Sequence, residues 1–168
     1  MKLFELIMAV LILVALAMKL SLFEGGGFLS TIFLLIMANF YFLFSFLLFN
    51  NIELKNIFKK SAYQNTTPKR IIFSIAVGII LSILLNTLLF KVQHWEGGKL
   101  MFTFSIFFSV IFVALSAIYY IKKQDKFFEN ILLRLVVVAF ALIAVNYFIE
   151  FPLTPSPEAI EATYPAYA

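Results

Sequence analysis

The feature that most constrains this chain is a series of five long apolar runs, at 3–20, 28–49, 71–90, 100–121 and 131–150, each bounded by charge, glycine or a polar cluster. A helix needs about 20 residues to cross a hydrocarbon core of about 30 Å, and each run approaches that length without an interior proline to break it. A chain of 168 residues that is 63% hydrophobic, with mean hydropathy +1.01, cannot hide so much apolar surface in one soluble core. The expected fold is all-α: a polytopic membrane helix bundle of five transmembrane helices, forming a single domain over 1–150. The many phenylalanines fall mostly within these runs, where they serve as packing material against lipid or neighbouring helices.

Basic residues are distributed unevenly around the runs, and that bias sets orientation. Lys2, Lys55, Lys59, Lys60, Lys69, Arg70, Lys122, Lys123 and Lys126 fall on one side, against Lys19, Lys91 and Lys99 on the other. This predicts a cytoplasmic N-terminus in a bacterial inner membrane, and an odd number of crossings then places the C-terminus outside. The basic stretch 50–70 reads as facing anionic lipid. The proline-rich stretch 151–168 reads as a disordered outer tail. An alternative for the first run is a cleaved signal peptide, with Lys2 ahead of it and Ala15-Leu16-Ala17 as the cleavage site. Glu5 and an internal repeat argue against that alternative.

The repeat appears on shifting the chain by 72 residues. Lys19-Leu20-Ser21-Leu22-Phe23-Glu24-Gly25-Gly26 then falls over Lys91-Val92-Gln93-His94-Trp95-Glu96-Gly97-Gly98, with Thr31 over Thr103 and Phe40 over Phe112. Each block lies between two apolar runs, so the unit is a helical hairpin, about 1–49 in the first copy and about 70–121 in the second. Two crossings per unit make the copies parallel, and the fifth helix, about 131–150, stands outside them. A structural turn accounts for the motif. Lys19 and Lys91 can snorkel, Phe23 and Trp95 can anchor the interface, Gly25-Gly26 and Gly97-Gly98 permit a tight reversal, and Glu24 and Glu96 would begin the next helix, at its positive dipole end.

The segment Phe90-Lys91-Val92-Gln93-His94-Trp95-Glu96-Gly97-Gly98 resembles the hairpin turn of the GldL family, an inner-membrane component of gliding motility and type IX secretion in Bacteroidota. It is also similar to the same turn in small uncharacterised membrane proteins of that phylum. The resemblance covers about 71–121 and, weakly, the first hairpin. It implies a shared hairpin but not a motor: Glu96 replaces the family's proline, and the family's proton-handling glutamate falls on Ser109 here, and on Met37 in the first copy.

Chemistry is sparse. The absence of cysteine excludes disulfides and thiolate metal sites, and a single histidine excludes a multi-histidine metal centre. No catalytic residues, metal site or cofactor are expected, and the chain reads as non-enzymatic. Glu5, Arg134 and Glu150 read as interfacial anchors near helix ends, with no ionisable group at mid-depth. Asn39, Asn86 and Asn146 are the intramembrane polar residues; they would join helices through hydrogen bonds typically worth about 0.6 kcal/mol, or alternatively line a polar path. Ser74, Gly78 and Ser82 form a small-residue stripe suited to close helix contact. His94 and Glu96, with Lys91 and Lys99, form a cluster beside Trp95 that reads as a solvated turn, or as a site for an anionic headgroup or a partner loop. The expected partners are the lipid bilayer and a membrane-protein partner or a second copy of the chain, with no nucleic acid. Scaffolding or an accessory role in a membrane complex is the leading expectation; a small transporter or channel is the alternative.

Overall fold

The computed structural model describes residues 1–64 and 66–150; the expected outer tail, 151–168, lies outside the described residues. Five helices follow in order: α1 (Lys2–Leu20), α2 (Gly26–Phe49), α3 (Pro68–Val92), α4 (Gly98–Lys123) and α5 (Lys126–Glu150). All five are long and apolar enough to cross a membrane, and the described residues contain no strand. The protein is a helical integral membrane protein.

Local chemistry sets the boundaries. Thr67 caps α3, its hydroxyl accepting from the Arg70 N–H, and Pro68 occupies the first turn, where its missing N–H costs nothing. Gln124 ends α4 in a left-handed conformation, and the Asp125 carboxylate accepts from the Phe127 N–H to start α5. Only two residues therefore join α4 to α5. The fifth apolar run begins only at 131, but the Asp125 cap sets the start of α5 at Lys126, because charged and amide residues that look like a loop continue the helix behind a good N-cap.

The two hairpin turns have the same geometry 72 residues apart. Leu22 and His94 both adopt positive φ (56° and 55°), as do Gly25 and Gly97 (84° each). Phe23 N–H donates to Met18 C=O and Leu22 N–H to Lys19 C=O; Trp95 and His94 repeat these bonds to Phe90 and Lys91. This is the Schellman closure of a helix, and the Phe90–Trp95 edge-to-face contact at 5.2 Å is its customary apolar clasp. One glycine of each pair therefore makes the reversal, sharing that task with Leu22 or His94. Glu24 and Glu96 precede the caps Gly25 and Gly97, so they lie just ahead of the following helix and not in its first turn.

The bundle is built around α2 and α3, whose contact is the most extensive; α1 packs on α2, while α4 and α5 pack on α3 and on each other. Leu34 and Leu48 of α2 meet the core with Val77, Leu81, Leu84 and Leu88 of α3, all fully or nearly fully buried. The small-residue stripe lies in this seam. A Cβ on Gly78 would collide with the Ser45 side chain and the Tyr41 carbonyl, so the partner of the stripe is α2 of the same chain. Asn50 at the end of α2 donates to Ser74 Oγ at 3.0 Å, tying the same seam at its rim.

Ion pairs and hydrogen bonds fix which ends lie together. Arg70 pairs with Asp125 across 2.5 Å, which joins the 50–67 and 124–125 connections at one end, with the N-terminus. Gln93 joins the two hairpin turns at the other. Its Nε2 lies 2.6 Å from Gly27 O, 2.8 Å from Thr31 Oγ1 and 3.2 Å from Ser30 Oγ. With two hydrogens, that nitrogen serves two of the three oxygens at once. The nine basic residues grouped together in the sequence thus collect at one end of the bundle, and Lys19, Lys91 and Lys99 at the other.

Candidate functional site: a charged triad at the end of a lateral groove

Helix α1 is the most loosely held of the first three helices, burying only Met8, Ile12, Ala15 and Leu16. Its opposite edge faces α5 across an open groove of about 570 Å³. Met37 and Tyr41 of α2 and Leu85 and Leu88 of α3 form the floor; Ala9, Ile12 and Leu13 form one wall, and Val137, Val138 and Ala141 the other. Their spacing follows one face of each helix.

At the basic end of this groove, α1 and α5 are bridged by Glu5 and Arg134. Arg134 donates through Nε to Glu5 Oε1 at 2.5 Å and through Nη2 to Oε2 at 2.6 Å, the planar fork-to-fork pairing that a guanidinium and a carboxylate favour. Tyr41 Oη donates to Glu5 Oε1 at 2.5 Å, bringing in α2. Arg134 also donates to the Asn130 carbonyl at 3.0 Å, and its guanidinium lies 5.5 Å from the centre of the Phe49 ring. The paired side chains are only 13% and 15% exposed.

Glu5 lies in the first turn of α1, near the helix end as expected, but Arg134 is not in the first turn of its helix. Arg134 lies eight residues inside α5 and Tyr41 eight residues inside the opposite end of α2, each about 12 Å along its helix axis. Arg134 and Tyr41 are thus set in from the ends of α5 and α2, and their side chains meet Glu5 largely out of reach of the surroundings. Burial there is tolerable because the charges are mutually satisfied. The earlier helix start of α5 hid this depth, and no local signal in the sequence connects position 5 with position 134. Of the third expected anchor, Glu150, only its place as the last residue of α5 is described.

The other sequence candidates disperse. Asn39 is exposed on α2 and donates to Leu35 O of its own helix; Asn86 likewise donates to Ser82 O. Asn146 is half-buried, and its Oδ1 has no hydrogen-bond partner. The expectation that Asn39 and Asn86 join helices is thus replaced by bonds to the preceding turn, where an i−4 carbonyl is always within reach. None of the three lines the groove.

At the turn end, His94, Trp95, Glu96 and Lys99 are exposed, but Lys91 is buried, its ammonium 5.2 Å from the centre of the Phe102 ring. The four-residue charged cluster beside Trp95 is therefore reduced, with Lys91 packed against α4 where snorkelling was expected. Met37 and Ser109, the positions corresponding to the motor glutamate, are both buried and neither is ionisable. Among the described residues no group of three or more histidine, aspartate or glutamate side chains could hold a metal ion.

The triad can brace three helices and leave one end of the groove polar. No family model, curated protein or solved structure matches the chain, so its likeness to the GldL hairpin rests on the turn segment itself.

Proposed function

We propose that the protein is a non-enzymatic scaffold or accessory subunit of a larger complex in a bacterial inner membrane, with its basic end and N-terminus cytoplasmic and its C-terminus outside. The observation that carries this reading is the dispersal of the intramembrane polar groups. Asn39, Asn86 and Asn146 occupy separate environments, and the buried charges of Glu5 and Arg134 neutralise each other in a brace between helices. A transporter or channel needs such groups to converge on a common path, so this arrangement supports scaffolding over transport. The unequal basic ends support the orientation. The repeated turn, shared in pattern with the GldL hairpin, supports a partner among secretion or motility components, without a motor role because the proton-handling glutamate has no counterpart.

Chemical crosslinking in native membranes, followed by native purification of the full chain, tests the proposal. A stable complex with a defined partner, or a homo-oligomer, is the expected result. Recovery of monomers alone in lipid would overturn it, as would selective solute flux through proteoliposomes that Asn→Leu substitutions abolish.

A further inference from the structure

We propose that the groove between α1 and α5 is a specific lipid site. It would hold one acyl chain of a glycerophospholipid with an anionic phosphodiester headgroup, the phosphate lying at Lys2 beside the Glu5–Arg134 pair. Size selects the occupant. The groove follows α1 from Lys2 to Leu16, about 21 Å of helix axis, and a volume of about 570 Å³ over that length leaves a cross-section of about 27 Å². A helix 10–12 Å across presents about 80 Å² or more, so a partner helix could rest only across the open side, whereas a polymethylene chain fits within the groove. One leaflet's share of the hydrocarbon core is about 15 Å, and the groove accommodates that length and leaves room for the glycerol ester region. Walls from α1 and α5 and a floor from α2 and α3 enclose the chain on three sides, more contact than an annular lipid receives on a convex helix surface.

Charge selects the headgroup. Lys2 lines the mouth of the groove, one turn nearer the basic end than Glu5, and makes no ion pair or hydrogen bond among the described residues. Arg134 and Glu5 cancel, leaving the mouth with a net charge of one positive unit, and Asn130 adds polar lining beside them. Basic pockets between membrane helices at this depth favour anionic headgroups. The triad thereby acts as a polar stop at the point where the apolar chain gives way to the glycerol and phosphate.

The test uses the full chain, delipidated in mild detergent and titrated with an equimolar mixture of phosphatidylglycerol and phosphatidylcholine, with bound lipid read by native mass spectrometry. One tightly retained lipid is expected, with phosphatidylglycerol favoured by about fivefold, the effect of one basic residue near such a surface. In Lys2→Gln, at an exposed position where folding is not at risk, the preference should vanish while one lipid remains bound. In Ala9→Trp/Ala141→Trp, which fills the groove, retention should fall to the level of non-specific adducts. Equal retention of the two lipids by the unaltered protein overturns the proposal. So does an undiminished preference in Lys2→Gln, undiminished retention in a folded filled variant, or recovery of the groove crosslinked to a helix of another protein.

Discussion

Replacing Glu5 by Gln tests the central structural claim, that a buried ion pair braces α1 against the bundle. The substitution keeps the side-chain shape and leaves Arg134 charged with no counter-ion, at a position where the pair was 13% and 15% exposed. Removing one member of a buried pair typically costs about 3–5 kcal/mol, and an unpaired arginine deep in a membrane helix costs about 3 kcal/mol on insertion scales. Because the long side chain of Arg134 can reach outward once it is unpaired, the lower figure applies, a loss of about 3 kcal/mol. Glu5→Leu/Arg134→Leu removes both charges and should cost far less than either single change, since hydrophobic replacement of a whole pair is often neutral. The assay is a double-mutant cycle of Glu5→Leu, Arg134→Leu and their double variant, with Glu5→Gln measured beside it, read by reversible unfolding in mixed micelles. A local readout is also possible because the chain has no cysteine. Ala15→Cys places a thiol at a buried α1 position, and Glu5→Gln should accelerate its labelling as α1 detaches. A coupling energy below about 0.5 kcal/mol, the range of independent sites, would refute the brace, as would unchanged labelling.

Further outcomes follow from the same geometry. Tyr41→Phe removes one hydrogen bond to the Glu5 carboxylate and should cost about 1.5–3 kcal/mol in the same unfolding measurement, an effect that disappears in the Glu5→Leu background. The two repeat copies should respond differently to alanine. A Cβ on Gly26 would lie 2.6 Å from Lys19 N, so Gly26→Ala should destabilise by more than about 1 kcal/mol, while the nearest atom to a Cβ on Gly98 is 3.7 Å away and Gly98→Ala should be neutral or slightly stabilising, as thermal unfolding would show. Gly78→Val should separate α2 from α3 and abolish folded protein in size-exclusion profiles, given the collision with Ser45 and the Tyr41 backbone. Leu22→Gly relieves a left-handed leucine and should raise the melting temperature, by an increment worth up to about 1 kcal/mol.

Much of the architecture is legible from one dimension because the bilayer imposes a simple rule. Backbone polar groups must be satisfied within each segment, so an apolar run of about 20 residues becomes a helix regardless of its neighbours. The spacing of Lys19 to Gly26 and of Lys91 to Gly98 likewise carried the turns, since Schellman closure depends on local backbone conformation and the two copies adopt it 72 residues apart. The beginning of α5 was less legible, although Asp125, one residue ahead of the apolar pair Phe127-Phe128, is a capping signal; the charged residues behind it masked the helix they belong to.

Helix partners were beyond the reach of pattern alone. In lipid every apolar face is equally soluble, so no hydrophobic stripe declares which helix it meets, and close packing selects the pairing. Gly78 shows this: the stripe was visible, but only the approach of Ser45 and the Tyr41 backbone identifies α2 as its partner. Arg134 shows it more sharply. By itself the sequence determined five apolar helices, their repeated turns and the unequal charge of the two ends, all properties of short segments in contact with lipid or interface. The tertiary structure alone decided that Glu5, Tyr41 and Arg134, separated by up to 129 residues, share a buried site at the end of a groove, because satisfying a buried charge requires a partner that only folding can deliver.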